Sequence, residues 1–362
     1  MRDLVKELRN NVARKLVTSI VLSGVLMAAC GGGSSGSPAP PPSPPPPTSS
    51  ALDLFDALWS DFDASYSFFD LKGIDWNDSR TRFRSQLSST STDNELLNVL
   101  SSMLLELEDA HVRLDTPIGA SVYTGWFDQF PANFDESVIT ATYLGSNAMM
   151  SPQVNMLFGQ IDTDVGYLRV HSLSGSGHGA DIDFILNQLG GIRALIVDLR
   201  GNGGGNDQNG EAVAARFADM TRLYRRVRFR DGPNHGDFGP FLDSFISPAG
   251  AQSFQGPVTV LTNRGTISSA ESMVLAFAVL PNVVSVGDFT GGGSGNPAQR
   301  TLANGWQYTV SRWIEFRPDG TTFEGVGIEP DIRVDISSTD AAALRDTIMD
   351  TAITNLRGSI PP

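Results

Sequence analysis

Val258-Thr-Val-Leu-Thr-Asn-Arg-Gly-Thr-Ile-Ser-Ser-Ala-Glu-Ser272 begins as a short, apolar, β-branched run and breaks at Asn263-Arg-Gly265. Val258–Thr262 has the composition of a buried strand. From Ser269 to Leu280, through Met273, Val274, Leu275 and Phe277, apolar residues return at helical spacing. Ser268 therefore lies at a strand-to-helix turn, where the first N–H groups of the helix have no partner within it. Such a place suits a nucleophile whose intermediate carries an oxyanion. It suits a plain helix cap equally, because Ser is a favoured N-cap and Glu271 completes a capping box.

The surrounding chain alternates strand and helix. Upstream come strand Gly166–Val170, helix Ala180–Leu189, strand Ile192–Leu199, a helix near Gln208–Asp219 and strand Arg222–Arg230. Downstream come strand Val283–Val286, strand Trp306–Phe316, broken by Arg317-Pro-Asp-Gly320, and strand Ile332–Ile336. That order predicts a mainly parallel sheet over residues 116–340. Before it, Leu54, Phe55, Leu58, Trp59 and Phe62, then Leu96, Val99, Leu100, Met103 and Leu107, recur at three and four, predicting a helical subdomain over 51–115. Residues 116–160 are weakly patterned, with Ser137–Leu144 strand-like, and 341–362 reads as a C-terminal helix and tail.

Residues 1–29 are a targeting segment. Arg2, Lys6, Arg9, Arg14 and Lys15 precede an apolar run, Leu16 to Ala29, that is too short to span a bilayer comfortably. Cys30, the chain's single cysteine, follows Met27-Ala-Ala directly, which resembles a bacterial lipobox and predicts lipidation there. Gly31, where inner-membrane retention would use Asp, points to the outer membrane by resemblance to enteric sorting rules. Residues 31–50 are Gly/Ser- then Pro-rich, an extended tether. With no other cysteine, the exported part has no disulfide, thiol nucleophile or Cys-based metal site. Past residue 29 the chain carries 21 basic and 38 acidic residues, a formal charge of −17, which argues against a nucleic-acid partner.

Ala194-Leu-Ile-Val-Asp-Leu-Arg-Gly-Asn-Gly-Gly-Gly205 is a buried strand running into a glycine turn before a helix. Such turns expose N–H groups to an anion. The Lys-Ser/Thr of a phosphate loop is missing and Gly-x-Gly-x-x-Gly is not met, so an oxyanion hole is the better reading.

Asp198-Leu-Arg-Gly-Asn-Gly-Gly-Gly205, Asn263-Arg-Gly-Thr-Ile-Ser-Ser-Ala-Glu271 and Gly325-Val-Gly-Ile-Glu-Pro-Asp331, in that order, resemble the carboxyl-terminal processing (tail-specific) and tricorn-core serine proteases. The resemblance spans residues 51–340. It implies an α/β, crotonase/Clp-protease-like catalytic domain preceded by a small helical subdomain. It places the nucleophile on Ser268 and the oxyanion-hole glycine on Gly204, with Gly203 or Gly205 adjacent and the Ser269 N–H as second donor.

The family uses either Ser/Lys or Ser/His/Glu. The lysine branch carries Gly-x-x-Thr-x-Gly-Lys-Gly, whereas this chain reads Gly287-Asp-Phe-Thr-Gly-Gly-Gly-Ser294, with Gly293 where the lysine would fall. Lys72, the one lysine after residue 29, lies far upstream in the helical region. The resemblance to the tricorn-like branch therefore implies His111, in Asp109-Ala-His111, as base and Glu324 as its orienting carboxylate. Glu315 and Glu271 compete with Glu324, and His171 competes with His111, while His178 and His235 read as solvated. Arg222, Tyr224, Arg226, Arg228 and Arg230 fall on one strand face, read as solvated rather than as a substrate clamp.

The expectation is a lipid-anchored envelope serine peptidase that hydrolyses peptide or protein substrates, with no cofactor and no metal. A non-catalytic binding lipoprotein on the same fold is the alternative. Acyl-CoA chemistry fits poorly, because no basic phosphate site is visible.

Overall fold

The computed structural model describes residues 49–125, 130, 133–336, 340, 343 and 345–360. Residues 48–362 form one compact unit. The targeting segment, Cys30 and the Pro-rich tether lie outside the described residues.

Helices α1 (Ala51–Ser65), α2 (Phe69–Lys72), α3 (Trp76–Arg84) and α4 (Asp93–Leu105) come first. Their starts follow from local chemistry: the side chains of Ser50, Asp75 and Thr92 accept N–H groups of the first turns of α1, α3 and α4. Strands β1 (Arg113–Thr116) and β2 (Gly119–Val122) follow, then a helical segment, α5 (Glu136–Val138), continuing as a π turn over Ile139–Leu144. The remaining elements are β3 (Met149–Met150), β4 (Leu157–Gln160), β5 (Val165–Arg169), α6 (His178–Gln188), β6 (Ala194–Asp198), α7 (Asp207–Ala214), β7 (Arg222–Phe229), β8 (Leu242–Ile246), β9 (Val258–Thr262), α8 (Ser269–Ala278), β10 (Val283–Gly287), β11 (Ala298–Thr301), β12 (Gln307–Val310), β13 (Trp313–Phe316), β14 (Ile332–Arg333) and α9 (Thr347–Ser359).

The main sheet has the order β14-β10-β9-β6-β5-β4-β3, parallel from β14 through β5 and antiparallel at its far edge. Its central strands β5, β6 and β9 are buried along their whole length because both faces are covered. Leu195, Val197 and Leu199 face one core together with residues of α6, α7 and α8, whereas Ala194 and Ile196 face another with α9 and Ile139. Alternation along one strand thus feeds two layers. The mainly parallel α/β fold read from the sequence is the one observed.

The helical region does not close at residue 115. The core of α1–α4 includes Leu114 of β1 and Ala298, Leu302, Trp306, Tyr308, Val310 and Ile314 from far downstream. Those residues belong to a second sheet, β11-β12-β1-β2, to its β11–β12 turn (Leu302 and Trp306) and to β13. Chain that returns after the main sheet is complete therefore finishes the helical layer, and His111 sits at the seam.

Two local readings need correction. Ser137–Leu144 is helical, not a strand. Its β-branched composition imitates a strand, but the Asp135 side chain accepts the Ser137 N–H (2.8 Å) and starts a helix. Ile139 and Leu144 are then buried five residues apart, a helical repeat rather than alternation. The second concerns β7, in the small sheet β13-β7-β8, whose pairing with β8 shifts register between Leu223 and Arg225. A bulge re-aims the strand, so Tyr224 is buried next to Arg225 and leaves the face, while Arg226 and Arg228 keep one side of the strand, both over the Phe241 ring.

Candidate active site

Ser268 links Thr266, at the end of the β9 turn, to α8 in a conformation that serine rarely adopts. Its φ is +62° and ψ −135°. An ordinary N-cap residue is extended, so this turn carries backbone strain of the kind that clusters at functional sites. Two acceptors hold it: the Ser268 N–H donates to Gly293 O and to Glu271 Oε2, each at 3.0 Å. Glu271 is fully buried and also receives Thr290 Oγ1 (2.5 Å), Gly292 N (2.8 Å) and Gly293 N (2.9 Å). Burial pushes its carboxyl up to about 8 against the pull of those bonds. Glu271 thus clasps Ser268 to the 290–293 loop and does not serve a histidine.

Opposite Ser268 stands the glycine turn. A Cβ on Gly204 would lie 2.8 Å from Ser268 Cβ and 2.9 Å from Ser269 N, at a φ of +90°. Only glycine lets the two turns approach this closely. Four bonds stitch them together: Gly201 N to Asn263 Oδ1 (2.9 Å), Ile267 N to Asn202 O (3.0 Å), Thr266 Oγ1 to Leu199 O (2.9 Å) and Ser269 Oγ to Gly205 O (3.0 Å). Beneath the turn, buried Arg200 pairs with Asp198 (2.6 Å) and with Asp346 at the N-cap of α9 (2.7 Å).

The Gly204 N–H is not available to an oxyanion, because it donates to Asn202 Oδ1 at 2.9 Å. Gly204 contributes by lacking a Cβ. Among the described residues, the N–H groups of Gly203, Gly205 and Ser269 donate to nothing. Gly205 and Ser269 line the cleft beside Ser268, and Gly203 does not.

His111 lies in the turn between α4 and β1. The Asp109 carboxylate accepts the His111 backbone N–H (2.8 Å) and, through its other oxygen, Ser311 Oγ (2.8 Å). Thr309 Oγ1 holds His111 O at 2.6 Å. The ring reaches the same loop that holds Ser268: a Cβ on Gly293 would sit 3.6 Å from His111 Cε1, and the Ser294 backbone lies beside the ring. Burial depresses the imidazole below its ordinary value; Asp109 and the Ser294 backbone oppose that shift, and Lys72 adds to it. His111 Nδ1 is buried without a hydrogen bond.

Glu324 is buried against Ser294 and Lys72. Its Oε2 accepts Ser294 N (2.7 Å) and Ser294 Oγ (3.0 Å), and its Oε1 is 3.4 Å from Lys72 Nζ. Burial, followed by the charge of Asp109, pushes its carboxyl up to about 7, with Lys72 opposing. Lys72 is thus distant in sequence but adjacent to the site. Asp109 and Ser294 were also missed as participants, although Asp109 was legible in Asp-Ala-His, where an Asp two residues before an N–H can accept it.

The competing residues are engaged with other partners. Glu315 is bonded to Ser272 Oγ (2.8 Å) and paired with Arg225 (3.5 Å). His171 meets Glu136 (2.7 Å), and His235 meets Asp63 (2.9 Å). His178, expected to be solvated, is buried at the start of α6 and bonded to Ser172 O (2.9 Å), because it packs under the turn that leads into the helix. A cleft of about 560 Å³ opens beside Ser268, lined by Gly205, Asp207, Arg225, Ser269, Trp313 and Glu315. A second, of about 690 Å³, lies on the Ile267 and Glu324 side and includes Lys72. Among the described residues no group of three or more metal-ligating side chains is gathered.

Residues 164–334 match the model of peptidase family S41, and residues 48–105 match the tricorn protease C1 domain. Carboxy-terminal processing protease CtpA of Bacillus subtilis is 25% identical over 178 residues, 48% of this chain and 36% of its own length. Tricorn protease of Thermoplasma acidophilum is 25% identical over 191 residues, 52% of this chain and 16% of its own length. The chain thus spans about a third or less of these curated relatives. The crystal structure of a candidate peptidase from Parabacteroides merdae superposes with a TM-score of 0.79 at 32% identity, covering 85% of this chain and 97% of that one.

Proposed function

We propose, from the premise that the chain belongs to peptidase family S41, that it hydrolyses peptide bonds with Ser268 as nucleophile and His111 as base. The observation that carries this reading is the strained Ser268 turn, held between Glu271 and Gly293 and pressed against Gly204. A merely structural helix start needs no positive φ.

The chemistry follows from the groups around it. The His111 ring takes the Ser268 Oγ proton as the oxygen attacks the substrate carbonyl. The Ser269 and Gly205 N–H groups hold the oxyanion, in place of the Gly204 N–H. The imidazolium then gives its proton to the leaving amine, and water releases the acyl group by the reverse sequence. Asp109 and Lys72 set the charge around His111. Glu324, contacting it only by way of Ser294, acts as a positioning residue rather than as a directly bonded third member. Lys72 is unsuited as the base, because its ammonium faces three acceptors.

The natural substrate is read as a peptide or protein. Lipidation on Cys30 would hold the enzyme at the cell envelope, on the outer-membrane side by the Gly31 rule. Fluorophosphonate labelling of the wild-type protein and of Ser268→Ala tests the catalytic reading, since labelling needs an activated serine. A wild-type protein that does not label would favour a binding lipoprotein instead.

A further inference from the structure

We propose that Lys72 is a positioning residue: it fastens the turn that carries His111 to the turn that carries Glu324 and supplies the cation that their buried carboxylates lack. This inference rests on the reading of Ser268 and His111 as a catalytic couple.

The geometry is a three-way tie. Lys72 is the last residue of α2, a single turn fixed in the core by buried Phe68 and Phe69. Its ammonium lies 3.1 Å from Leu107 O, 3.1 Å from Glu108 O and 3.4 Å from Glu324 Oε1, over the Phe68 ring at 5.4 Å. Three acceptors match the three N–H bonds of an ammonium, leaving no donor spare. Leu107 and Glu108 immediately precede Asp109-Ala-His111, and Glu108 has a φ of +45°. One side chain therefore pins a strained backbone turn on the histidine side and a carboxylate on the other.

The charges around Glu324 show what that cation does. Asp109 faces it from the His111 turn, Tyr66 from the chain after α1, Glu271 from α8 and Lys72 from α2, while His111 reaches it through Ser294. Asp109 and Glu324 are buried carboxyl groups of like charge, and Lys72 is the cation that opposes them at Glu324. Its side chain is only 14% exposed, so water screens the pair weakly. Without Lys72, the cheapest response is proton uptake by Glu324. His111 would also lose a repelling charge and hold its proton to higher pH. Both changes move the acid limb of activity in the alkaline direction.

The test is the second-order rate of fluorophosphonate labelling of the full chain between pH 5 and 9, for wild type, Lys72→Met and Lys72→Arg, with Ser268→Ala as the blank. Lys72→Met should label at least ~10-fold more slowly at pH 7, with its acid limb about one unit higher, and Lys72→Arg should recover part of both. A folded Lys72→Met protein with the wild-type rate and limb would overturn the proposal. So would a uniform loss at every pH that arginine does not rescue. Should Lys72→Met fail to fold, Lys72→Met/Glu324→Gln, which leaves no orphan carboxylate, should fold; its failure to fold would mean that the lysine is only structural. Absence of wild-type labelling would instead remove the Ser268 reading, and this inference with it.

Discussion

The Ser294 N–H and the Ser294 hydroxyl both donate to one oxygen of Glu324, Oε2, at 2.7 and 3.0 Å. Glu324 is therefore satisfied by a neighbour of His111 and not by His111 itself. Replacing a directly bonded triad carboxylate with its amide costs about 10⁴ in turnover. Glu324→Gln should cost less, about 10²-fold in kcat, and should flatten the part of the pH profile near 7 where Glu324 ionises. Ser294→Ala keeps the N–H and should lose less than ~10-fold. Steady-state kinetics on a peptide substrate reads both, and an unchanged kcat in Glu324→Gln would transfer the role to Asp109.

Adjacent serines separate nucleophile from scaffold. Ser268→Ala should abolish turnover and labelling. Ser269→Ala keeps its backbone N–H and loses only the hydroxyl bond to Gly205 O, so it should retain most activity. The opposite pattern in the two variants would shift the nucleophile by one residue.

The glycine turn makes a steric prediction. Gly204→Ala puts a methyl 2.8 Å from Ser268 Cβ in a left-handed conformation and should remove activity and lower the melting temperature. Gly203→Ala has open space and negative φ available and should remain near wild type in both. Equal effects would mean that a Cβ is barred at Gly203 as strictly as at Gly204.

Stability should fall as pH rises from about 5 to 8.5. Glu271, Glu315 and Glu324 have folded-state values raised to about 8, 7 and 7, chiefly by burial. A raised carboxyl contributes its full stabilisation below its unfolded value, about 4.3, and loses it as pH climbs through the folded one. His111, depressed by burial, works with the opposite sign near its ordinary value but is one group against three. Thermal melts of the wild type should show the decline. A melting temperature that rises across this window would contradict the raised carboxyls.

Cys30→Ser should leave the protein soluble or uncleaved. Fractionation that still finds a mature-length chain in the membrane would remove the lipid anchor.

Local patterns made some of this legible and geometry hid the rest. The Ser268 turn and the glycine turn could be read because strand, break and helix follow one another within a few residues. The hole's donors could not, since which N–H is free depends on where the Asn202 side chain turns. Lys72 and Glu324 meet only through folding, and no spacing announces such an ion pair. Tyr224 left the arginine face because a bulge interrupts the alternation of β7, which no period-two count foresees.

Arg200 and Asp346 add an order in time. The glycine turn rests on an arginine whose second carboxylate partner lies at the N-cap of α9. On a ribosome, or during passage through an export channel from the N-terminus, residue 346 emerges long after Ser268 and the turn. A chain interrupted before it would expose a buried guanidinium with half its charge partners missing. The support beneath the glycine turn is thus completed by one of the last parts of the chain to appear.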